Sequence, residues 1–253
     1  MIEFDGLAKR YGDYEAVRPL DLAVRRGEVF GFLGPNGAGK TTTIRMMMGI
    51  LVPSAGRVLV DGLDCHADGA EVKRHVGYLP DNPIFYDYLR GREILQFVGE
   101  MHGLPRRDAA ARAEGLLAEF GLGEVSEEFA VNYSMGMKKK LGLACALVHD
   151  PAVLILDEPI NGLDPRAARD VQDLLVGRAA AGKTIFVSTH LLDMAQRMCD
   201  RVGIIHRGTL VATGALDELR DDRTTSLEEV FLRLTDEPDQ SDKSDQSDTL
   251  APQ

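Results

Sequence analysis

The feature that most constrains the fold is a glycine-rich loop between an apolar run and a helical pattern. The run VFGFL leads into GPNGAGKTT at residues 34–42, and a helical pattern follows as far as Pro53. The loop fits G-x-x-x-x-G-K-[ST] in the strand-to-helix context that this motif requires. Its glycines allow backbone N–H groups to point at phosphate oxygens, and the helix N-terminus adds partial positive charge. A phosphate-binding loop is therefore favoured over a glycine-rich turn that contains a lysine by chance.

Each residue type in this loop has a chemical task. Lys40 is expected to place its ammonium on the β- and γ-phosphates, and Thr41 to offer its hydroxyl to Mg²⁺. The sequence therefore predicts a nucleoside triphosphate and Mg²⁺ as cofactors. The candidate phosphate-binding residues are Gly34, Pro35, Asn36, Gly37, Ala38, Gly39, Lys40, Thr41 and Thr42.

A second candidate site closes a later strand. AVLILDEP, residues 152–159, is an apolar run that ends in Asp157 and Glu158. Asp157 stands where a P-loop nucleotidase needs a carboxylate for Mg²⁺, and Glu158 where a base could polarise water opposite the γ-phosphate. The alternative is a helix or turn cap, which the buried character of the run disfavours because an unpaired buried charge is costly.

The order of strand-like and helical runs predicts the fold class. Strands alternate with helices before residue 83 and after residue 149, which indicates an α/β fold with a mostly parallel sheet and flanking helices. Between these limits helical periodicity alone remains, and it predicts a helical insertion. VGIIH and TLVATG, joined through Arg207-Gly208, predict a terminal hairpin.

Charge restricts the class of partner. The chain has 29 Lys and Arg against 40 Asp and Glu, a net charge of −11, so no nucleic-acid partner is expected. Residues 236–253 repeat Asp with Ser and Gln between and predict a disordered acidic tail, either solubilising or regulatory. The three cysteines are odd in number and widely spaced, which indicates a reducing compartment.

The remaining motifs supply a family resemblance. NYSMGMKKK at residues 132–140 starts a helix, NGLDP at 161–165 follows the acid pair, and STH at 188–190 ends a strand. With GPNGAGKTT and LILDEP, in this order, they resemble the ATP-binding subunit of an ABC transporter over residues 1 to about 235. YSMGMKKKL, SLEEVFLRLT and GYLPDNPIFYDYLRGREIL further resemble the ABC-2 type exporters.

This resemblance implies a RecA-like P-loop NTPase fold with an antiparallel β part near the N-terminus and an inserted helical subdomain. One ATPase domain would occupy residues 1–235. Its core would span about 1–82 and 150–215, the helical insertion about 83–149, and C-terminal helices about 214–235. The acidic tail would follow at 236–253.

The resemblance also implies further site residues. His190 would hydrogen-bond the γ-phosphate, Tyr11 would stack on adenine, and Asp164 would lie at the seam of a homodimer. Ser134 and Gly136 would face the γ-phosphate of ATP on the opposite subunit. Plainer alternatives stay open: a structural histidine, a half-buried loop aromatic, an N-cap serine and a turn aspartate.

The sequence departs from the family in two segments. In the signature segment, where the family has LSGGQ, it keeps Ser134 and Gly136 but has Tyr133, Met135 and Met137 at the other positions. In the Q-loop, Asp81 replaces the glutamine. The Asp81 carboxylate could join the Mg²⁺ shell or contact the ion through water. It could instead only cap the turn into Asn82-Pro83.

The function implied by the resemblance is an ATPase subunit, cytoplasmic and peripheral on the inner face of the cell membrane. It would dimerise head to tail and drive a separate membrane permease, which would dock beside Phe85, Tyr86 and Tyr88. Packing of these aromatics in the helical insertion is the alternative. Two other functions are weighed: a non-transport ABC ATPase acting in DNA repair or translation, and a regulatory module that no longer hydrolyses ATP.

Overall fold

The computed structural model describes residues 2–219 and 226–236. Its strands form two sheets, of four strands in the order β2-β1-β4-β5 and of six in the order β10-β9-β3-β8-β7-β6. The strands are β1 (Ile2–Tyr11), β2 (Tyr14–Val24), β3 (Val29–Leu33), β4 (Ala55–Val60), β5 (Leu63–Asp64), β6 (Val76–Leu79), β7 (Val153–Asp157), β8 (Thr184–Thr189), β9 (Arg201–His206) and β10 (Thr209–Ala215).

Helices cover the larger sheet and fill the middle of the chain. The helices are α1 (Lys40–Met47), α2 (Gly69–His75), α3 (Gly91–Met101), α4 (Arg106–Glu119), α5 (Met135–Leu147), α6 (Pro165–Ala180), α7 (Leu192–Met198) and α8 (Leu227–Asp236). In the part of the chain that is described, no helix is both long and apolar enough to span a lipid bilayer.

The six-stranded sheet is parallel except at one edge. β3 pairs in parallel with β8 on one side and β9 on the other, and β8, β7 and β6 continue the parallel order. β10 returns antiparallel to β9, as the hairpin pattern predicts. The four-stranded sheet is antiparallel and contains the first described strand, β1. The predicted α/β class, with its antiparallel N-terminal part, is confirmed.

The buried strands place alternate side chains in two cores. Val29 and Leu33 of β3 belong to the core that includes side chains of the helices α3 to α7, whereas Phe30 and Phe32 belong to the core between the two sheets and α1. Phe186 of β8 lies at the centre of this second core, with its ring 5.4 to 6.1 Å from three other phenylalanine rings. Both faces of the sheet are therefore covered, which explains the continuous apolar runs of its strands.

The helices α3, α4 and α5 occupy the segment in which helical periodicity predicts an insertion, and α5 returns the chain to β7. α5 packs on β6 very closely at Gly77, where an added Cβ would lie 2.0 Å from the carbonyl oxygen of Ala146. Glycine is required there because the neighbouring atom, Ala146 O, belongs to the backbone and cannot move aside for a side chain.

The C-terminal region differs from the expected helices at about 214–235. Strand β10 continues to Ala215 because it pairs with β9, and the only helix described in this region is α8. The division of the chain into core and insertion remains a prediction. The predicted acidic tail lies outside the described residues, apart from Asp236 at the end of α8.

None of the three cysteines forms a disulfide bond. Cys65, Cys145 and Cys199 are free thiols. Burial raises the pKa of each thiol to about 12, so all three are protonated at neutral pH and behave as small apolar side chains.

Candidate functional site

The glycine-rich loop lies at the edge of the sheet where the parallel strands end. It follows β3, and Gly39 ends it in the left-handed region with φ of 108° as the N-cap of α1. A Cβ on Gly39 would also lie 2.7 Å from the carbonyl oxygen of Ala16, so both geometry and space require glycine. The loop lines a cleft of about 300 Å³, together with Asp81, Asp157 and Glu158.

Lys40 is the buried cation of this cleft. Its Nζ donates to the carbonyl oxygens of Gly34, at 2.7 Å, and Pro35, at 3.2 Å. It also lies 3.7 Å from Glu158 Oε1. Burial lowers the pKa of Lys40, and the carboxylates of Glu158 and Asp157 oppose that shift. The ammonium is therefore held inside the loop, next to acids at the ends of neighbouring elements.

Asp157 is held by two hydroxyl groups. Thr41 Oγ1 donates to its Oδ2 at 2.9 Å, and Ser188 Oγ donates to its Oδ1. Thr41 is the second residue of α1, Asp157 ends β7, and Ser188 lies opposite on β8. The structure thus brings the two predicted oxygen ligands, Thr41 and Asp157, into direct contact.

Glu158 is fixed at both carboxylate oxygens. His190 Nδ1 lies 2.9 Å from Oε1, and Thr189 Oγ1 donates to Oε2 at 3.2 Å. The backbone of Glu158 has φ of 48°, a conformation that non-glycine residues seldom adopt and that concentrates at functional sites. Both residues that were expected to take part in hydrolysis, Glu158 and His190, are therefore hydrogen-bonded partners.

The predicted aromatic also reaches the cleft, with a second one beside it. Tyr11 and Tyr14 flank the turn between β1 and β2, and both line the cleft while remaining more than half exposed. Lys9 Nζ lies 5.1 Å from the centre of the Tyr11 ring. An exposed ring at the mouth of a phosphate cleft is available for stacking on a base.

Ser134 and Gly136 lie elsewhere, at the start of α5 and outside the lining of this cleft. Ser134 is the N-cap of α5 and accepts from Met137 N at 3.2 Å, as the plainer alternative expects. A Cβ on Gly136 would make ordinary van der Waals contacts with Leu163, at 3.6 Å, and with the carbonyl oxygen of Gly162, at 3.7 Å, whereas Ser134 and Met135 beside it are exposed. This helix end is therefore free to contact a group outside its own subunit.

Asp164 caps the helix α6 in the same region. Its Oδ1 accepts from the backbone N–H groups of Arg166 and Ala167 at 3.0 Å, and Pro165 occupies the first turn. These hydrogen bonds, with Ala167 foremost, lower the pKa of Asp164. Asp164 therefore caps the first turn of α6, as the plainer alternative predicts, and a contact at a dimer seam remains a prediction.

Asp81 lines the cleft but has a partner that the sequence did not indicate. Lys139 Nζ, on α5, donates to the Asp81 carbonyl oxygen and lies 3.5 Å from its Oδ1. Asn82 Nδ2 donates to Oδ2 at 3.2 Å, a contact between neighbouring side chains, and the role of Asp81 as a turn cap stays a prediction. In the described residues no three His, Cys, Asp or Glu side chains converge on a possible metal position, so Asp81 as a metal ligand stays a prediction.

Four contributors to the site were missed in the sequence: Tyr14, Lys139, Ser188 and Thr189. Ser188 and Thr189 precede His190 in the STH motif, so their neighbourhood was found but not their contacts. Tyr14 could have been found from its place across a hairpin turn from Tyr11. Lys139 gave no signal, because one lysine among three successive ones points inward.

Comparison with known proteins identifies a family model and several relatives that match this chain. The family model described as ABC transporter matches residues 17–161. The Probable multidrug ABC transporter ATP-binding protein YbhF of Escherichia coli is 36% identical over 240 residues, which are 92% of this chain but 41% of that protein. The Daunorubicin resistance ATP-binding protein DrrA3 of Streptomyces coeruleorubidus is 40% identical over 232 residues, covering 92% of this chain and 73% of the relative.

A solved structure agrees with these matches. The structure of an ATP binding subunit of an ABC transporter superposes with a TM-score of 0.86 at 33% sequence identity. The alignment covers 92% of this chain and 99% of that chain.

Proposed function

Because the chain belongs to the ABC transporter family, we propose that it is an ATP-hydrolysing subunit that drives transport through a separate membrane permease. The observation that carries the proposal is the arrangement of Glu158. Its carboxylate lies at the phosphate cleft, next to Lys40 and held by Thr189 and His190. A fixed carboxylate opposite a phosphate loop is suited to take the proton of an attacking water.

The residues divide the work of hydrolysis. The backbone N–H groups of the loop and the Lys40 ammonium bind the β- and γ-phosphates, and a Tyr11 ring stacks on adenine. Glu158 accepts the proton from water, and His190 orients Glu158 and hydrogen-bonds the γ-phosphate. Electrostatic stabilisation by such fixed donors is the larger share of phosphoryl-transfer catalysis.

The donor set near the loop fits Mg²⁺. Thr41 Oγ1 and Asp157 Oδ2, 2.9 Å apart, are the hard oxygen ligands that this ion prefers, and Mg²⁺ takes few protein ligands because phosphate and water fill the rest. Bound there, the ion supplies neutralisation of phosphate charge. Asp81 would join these two residues directly or through a water molecule.

Export is the direction of transport that the relatives support. The matched proteins include one named for daunorubicin resistance and one named for multidrug transport. Removal of a drug from the cell is a direct route to resistance, so an exporter of the ABC-2 type fits these names. The chain itself spans 41% of the length of the multidrug relative. The binding site for the cargo would lie in the permease.

The permease would dock at the segment that follows Asp81. Ile84, Tyr86 and Tyr88 are strongly exposed, whereas Phe85 packs on the helical core. The core-packing alternative therefore applies to Phe85, and the exposed side chains favour contact with a partner. With such a partner the subunit would lie in the cytoplasm, on the inner face of the cell membrane.

The other two functions have less support. A regulatory module without hydrolysis would not need Glu158 held at both oxygens in a strained conformation. A non-transport ATPase of DNA repair or translation would act on nucleic acid, for which the net charge of −11 is unfavourable.

Glu158→Gln tests the proposed function. The substitution keeps size and hydrogen bonding but removes the base, so steady-state ATP turnover should fall by ~10²-fold or more. ATP binding, measured by calorimetry, should persist. ATP should also hold the variant as a dimer on gel filtration, because hydrolysis no longer ends the bound state.

The matched control is Glu229→Gln on α8, an exposed glutamate away from the cleft, which should turn over ATP as the unaltered chain does. Equal turnover in Glu158→Gln and the unaltered chain would remove Glu158 from the role of base. Absence of ATP turnover in the unaltered chain would reject the proposed function itself.

A further inference from the structure

Lys139 is a buried lysine on the signature helix α5, and the mechanism above does not use it. Only 2% of its surface is exposed. It lies in the second turn of α5, while its charged group is directed at Asp81, on the segment that follows β6. Burying an ammonium group costs free energy of desolvation unless an opposite charge lies beside it. The group that Lys139 pairs with therefore indicates its role.

The partner is Asp81, contacted at two atoms. Lys139 Nζ donates to the backbone carbonyl oxygen of Asp81 and lies 3.5 Å from the carboxylate atom Oδ1. Asp81 in turn lines the phosphate cleft with Lys40, Asp157 and Glu158. The pair therefore joins the helical insertion to the wall of the nucleotide site.

Lys139 belongs to the electrostatic environment of that site although it lies behind it. Burial lowers the pKa of Lys139, and Asp81, Asp157 and Glu158 oppose that shift. The same three carboxylates oppose the effect of burial on Lys40. Two buried cations, Lys40 in the cleft and Lys139 behind it, thus act with the same three carboxylates, and the formal charge of the group is 2 − 3 = −1. Without Lys139 that charge would be −2, at a place that must accept a polyanion.

We propose that Lys139 is a positioning residue for nucleotide binding, which acts through Asp81 by neutralising its carboxylate and holding it against α5. The inference rests on the proposed function, since it assumes ATP in the cleft. Asp81 is then neither a simple turn cap nor a free acid: its charge is tolerated beside the triphosphate because α5 supplies the compensating cation. Movement of α5 would change the charge presented to the nucleotide.

The test is a double-mutant cycle on ATP affinity, measured by calorimetry on the full chain in EDTA. Lys139→Met keeps the buried alkyl volume and removes the charge, so ATP affinity should fall by about tenfold, within the range of coupled charged neighbours. In the Asp81→Asn background the same change should cost less than about twofold, because the acid is no longer present. Lys139→Arg, which keeps the charge, should retain most of the affinity.

The control pair is Lys183 and Asp150, which has the same chemistry away from the cleft. Lys183 Nζ lies 3.0 Å from both the carbonyl oxygen and Oδ1 of Asp150. Lys183→Met should leave ATP affinity within about twofold, since this pair does not line the nucleotide site.

A structural role alone would give a different result. Lys139→Met would then lower ATP affinity equally in the unaltered chain and in the Asp81→Asn background, or leave it unchanged in both, and either outcome overturns the proposal. If Lys139→Met does not fold, Asp81→Asn alone decides: ATP affinity in EDTA should rise several-fold, and unchanged affinity rejects the idea. The proposed function stands in each case, provided that the unaltered chain binds and hydrolyses ATP.

Discussion

Glu158 carries an unfavourable backbone conformation and yet is held at both carboxylate oxygens. Its φ of 48° is compensated by Lys40, Thr189 and His190 around the side chain and by the hydrogen bond from its own N–H to Ser188 O, at 3.0 Å. Such strain persists because the surrounding groups hold the residue in place. Here they keep the side chain of Glu158 directed at the phosphate cleft. The role of each neighbour can be separated by single substitutions.

Thr189→Val is the sharpest of these substitutions. Valine fits the same buried space but can neither donate to Glu158 Oε2, at 3.2 Å, nor accept from Leu191 N, at 3.0 Å, so the base loses one of its hydrogen bonds and the backbone after β8 loses another. We expect kcat for ATP hydrolysis to fall about tenfold, as for the loss of one hydrogen bond to a charged group, while KM stays nearly constant. Thr189→Ser should restore most of the rate.

Thr184 provides the control at the opposite end of the same strand. It is equally buried, and its Oγ1 accepts from Gly27 N at 2.9 Å, far from the cleft. Thr184→Val should leave kcat unchanged even if it lowers thermal stability. A parallel drop of kcat in both variants would mean that strand β8 as a whole, and not the hydroxyl of Thr189, supports the base.

At this scale the sequence predicts what is local and misses what is distant. The loop residues and the pair Asp157-Glu158 were found because their chemistry is encoded in adjacent positions. Lys139 was missed because its partner Asp81 is 58 residues away and only the fold brings α5 to that segment. Ser188 and Thr189 fall between these cases: a motif marked their place, but the partners of their hydroxyls depend on the pairing of β7 with β8.

The elements α5 and β6 form the contact through which the helical insertion meets the sheet. Gly77 of β6 lies directly under the backbone of Ala146. Backbone atoms cannot move aside as a flexible side chain can, so close approach of these elements depends on the missing Cβ. The sequence predicts both elements from their periodicity, but not this distance between them.

Gly77→Ala should therefore be strongly destabilising. The added Cβ would lie 2.0 Å from Ala146 O, and overpacking of this kind lowers the free energy of unfolding by about 3 kcal/mol. Urea denaturation of the purified variant measures this change. Gly115→Ala is the control, because nothing lies within 4 Å of a Cβ at this α4 position. It should gain up to about 1 kcal/mol from helix propensity. Equal stability of the two variants would show that α5 shifts to accommodate Gly77→Ala.

For the whole molecule, the separation of the start of α5 from the phosphate cleft has a direct consequence. If Ser134 and Gly136 act on ATP, they act on the ATP of another copy, and each active site is composed of two chains. A single chain would then contain no complete active site. The prediction that follows concerns mixtures of two inactive variants.

Lys40→Ala impairs the phosphate loop and leaves the signature helix intact, whereas Gly136→Asp does the reverse. Gly136 has room for a Cβ, which would lie 3.6 Å from its nearest neighbour, Leu163, and an acid in the first turn suits the helix dipole. Each variant alone should be nearly inactive as an ATPase. Mixed and re-equilibrated, they should regain a substantial part of the activity, because a mixed dimer contains one site with both halves intact.

A matched mixture excludes simple effects of concentration. Lys40→Ala combined with Lys40→Ala/Gly136→Asp forms no intact site and should stay inactive. Absence of recovery in the first mixture, with both variants folded, would contradict the head-to-tail arrangement and leave each chain as a self-contained ATPase.

The position of β3 in its sheet also determines when the protein can first work during its synthesis. The strand that delivers the phosphate loop ends at Leu33, but its two neighbours, β8 and β9, begin at Thr184 and Arg201. At ribosomal speeds roughly 10–30 s pass between synthesis of β3 and synthesis of β8 and β9. During that time the phosphate loop exists but its neighbouring strands have not yet been translated. We therefore expect the nascent chain to bind ATP only after β8 and β9 have been synthesised and have paired with β3.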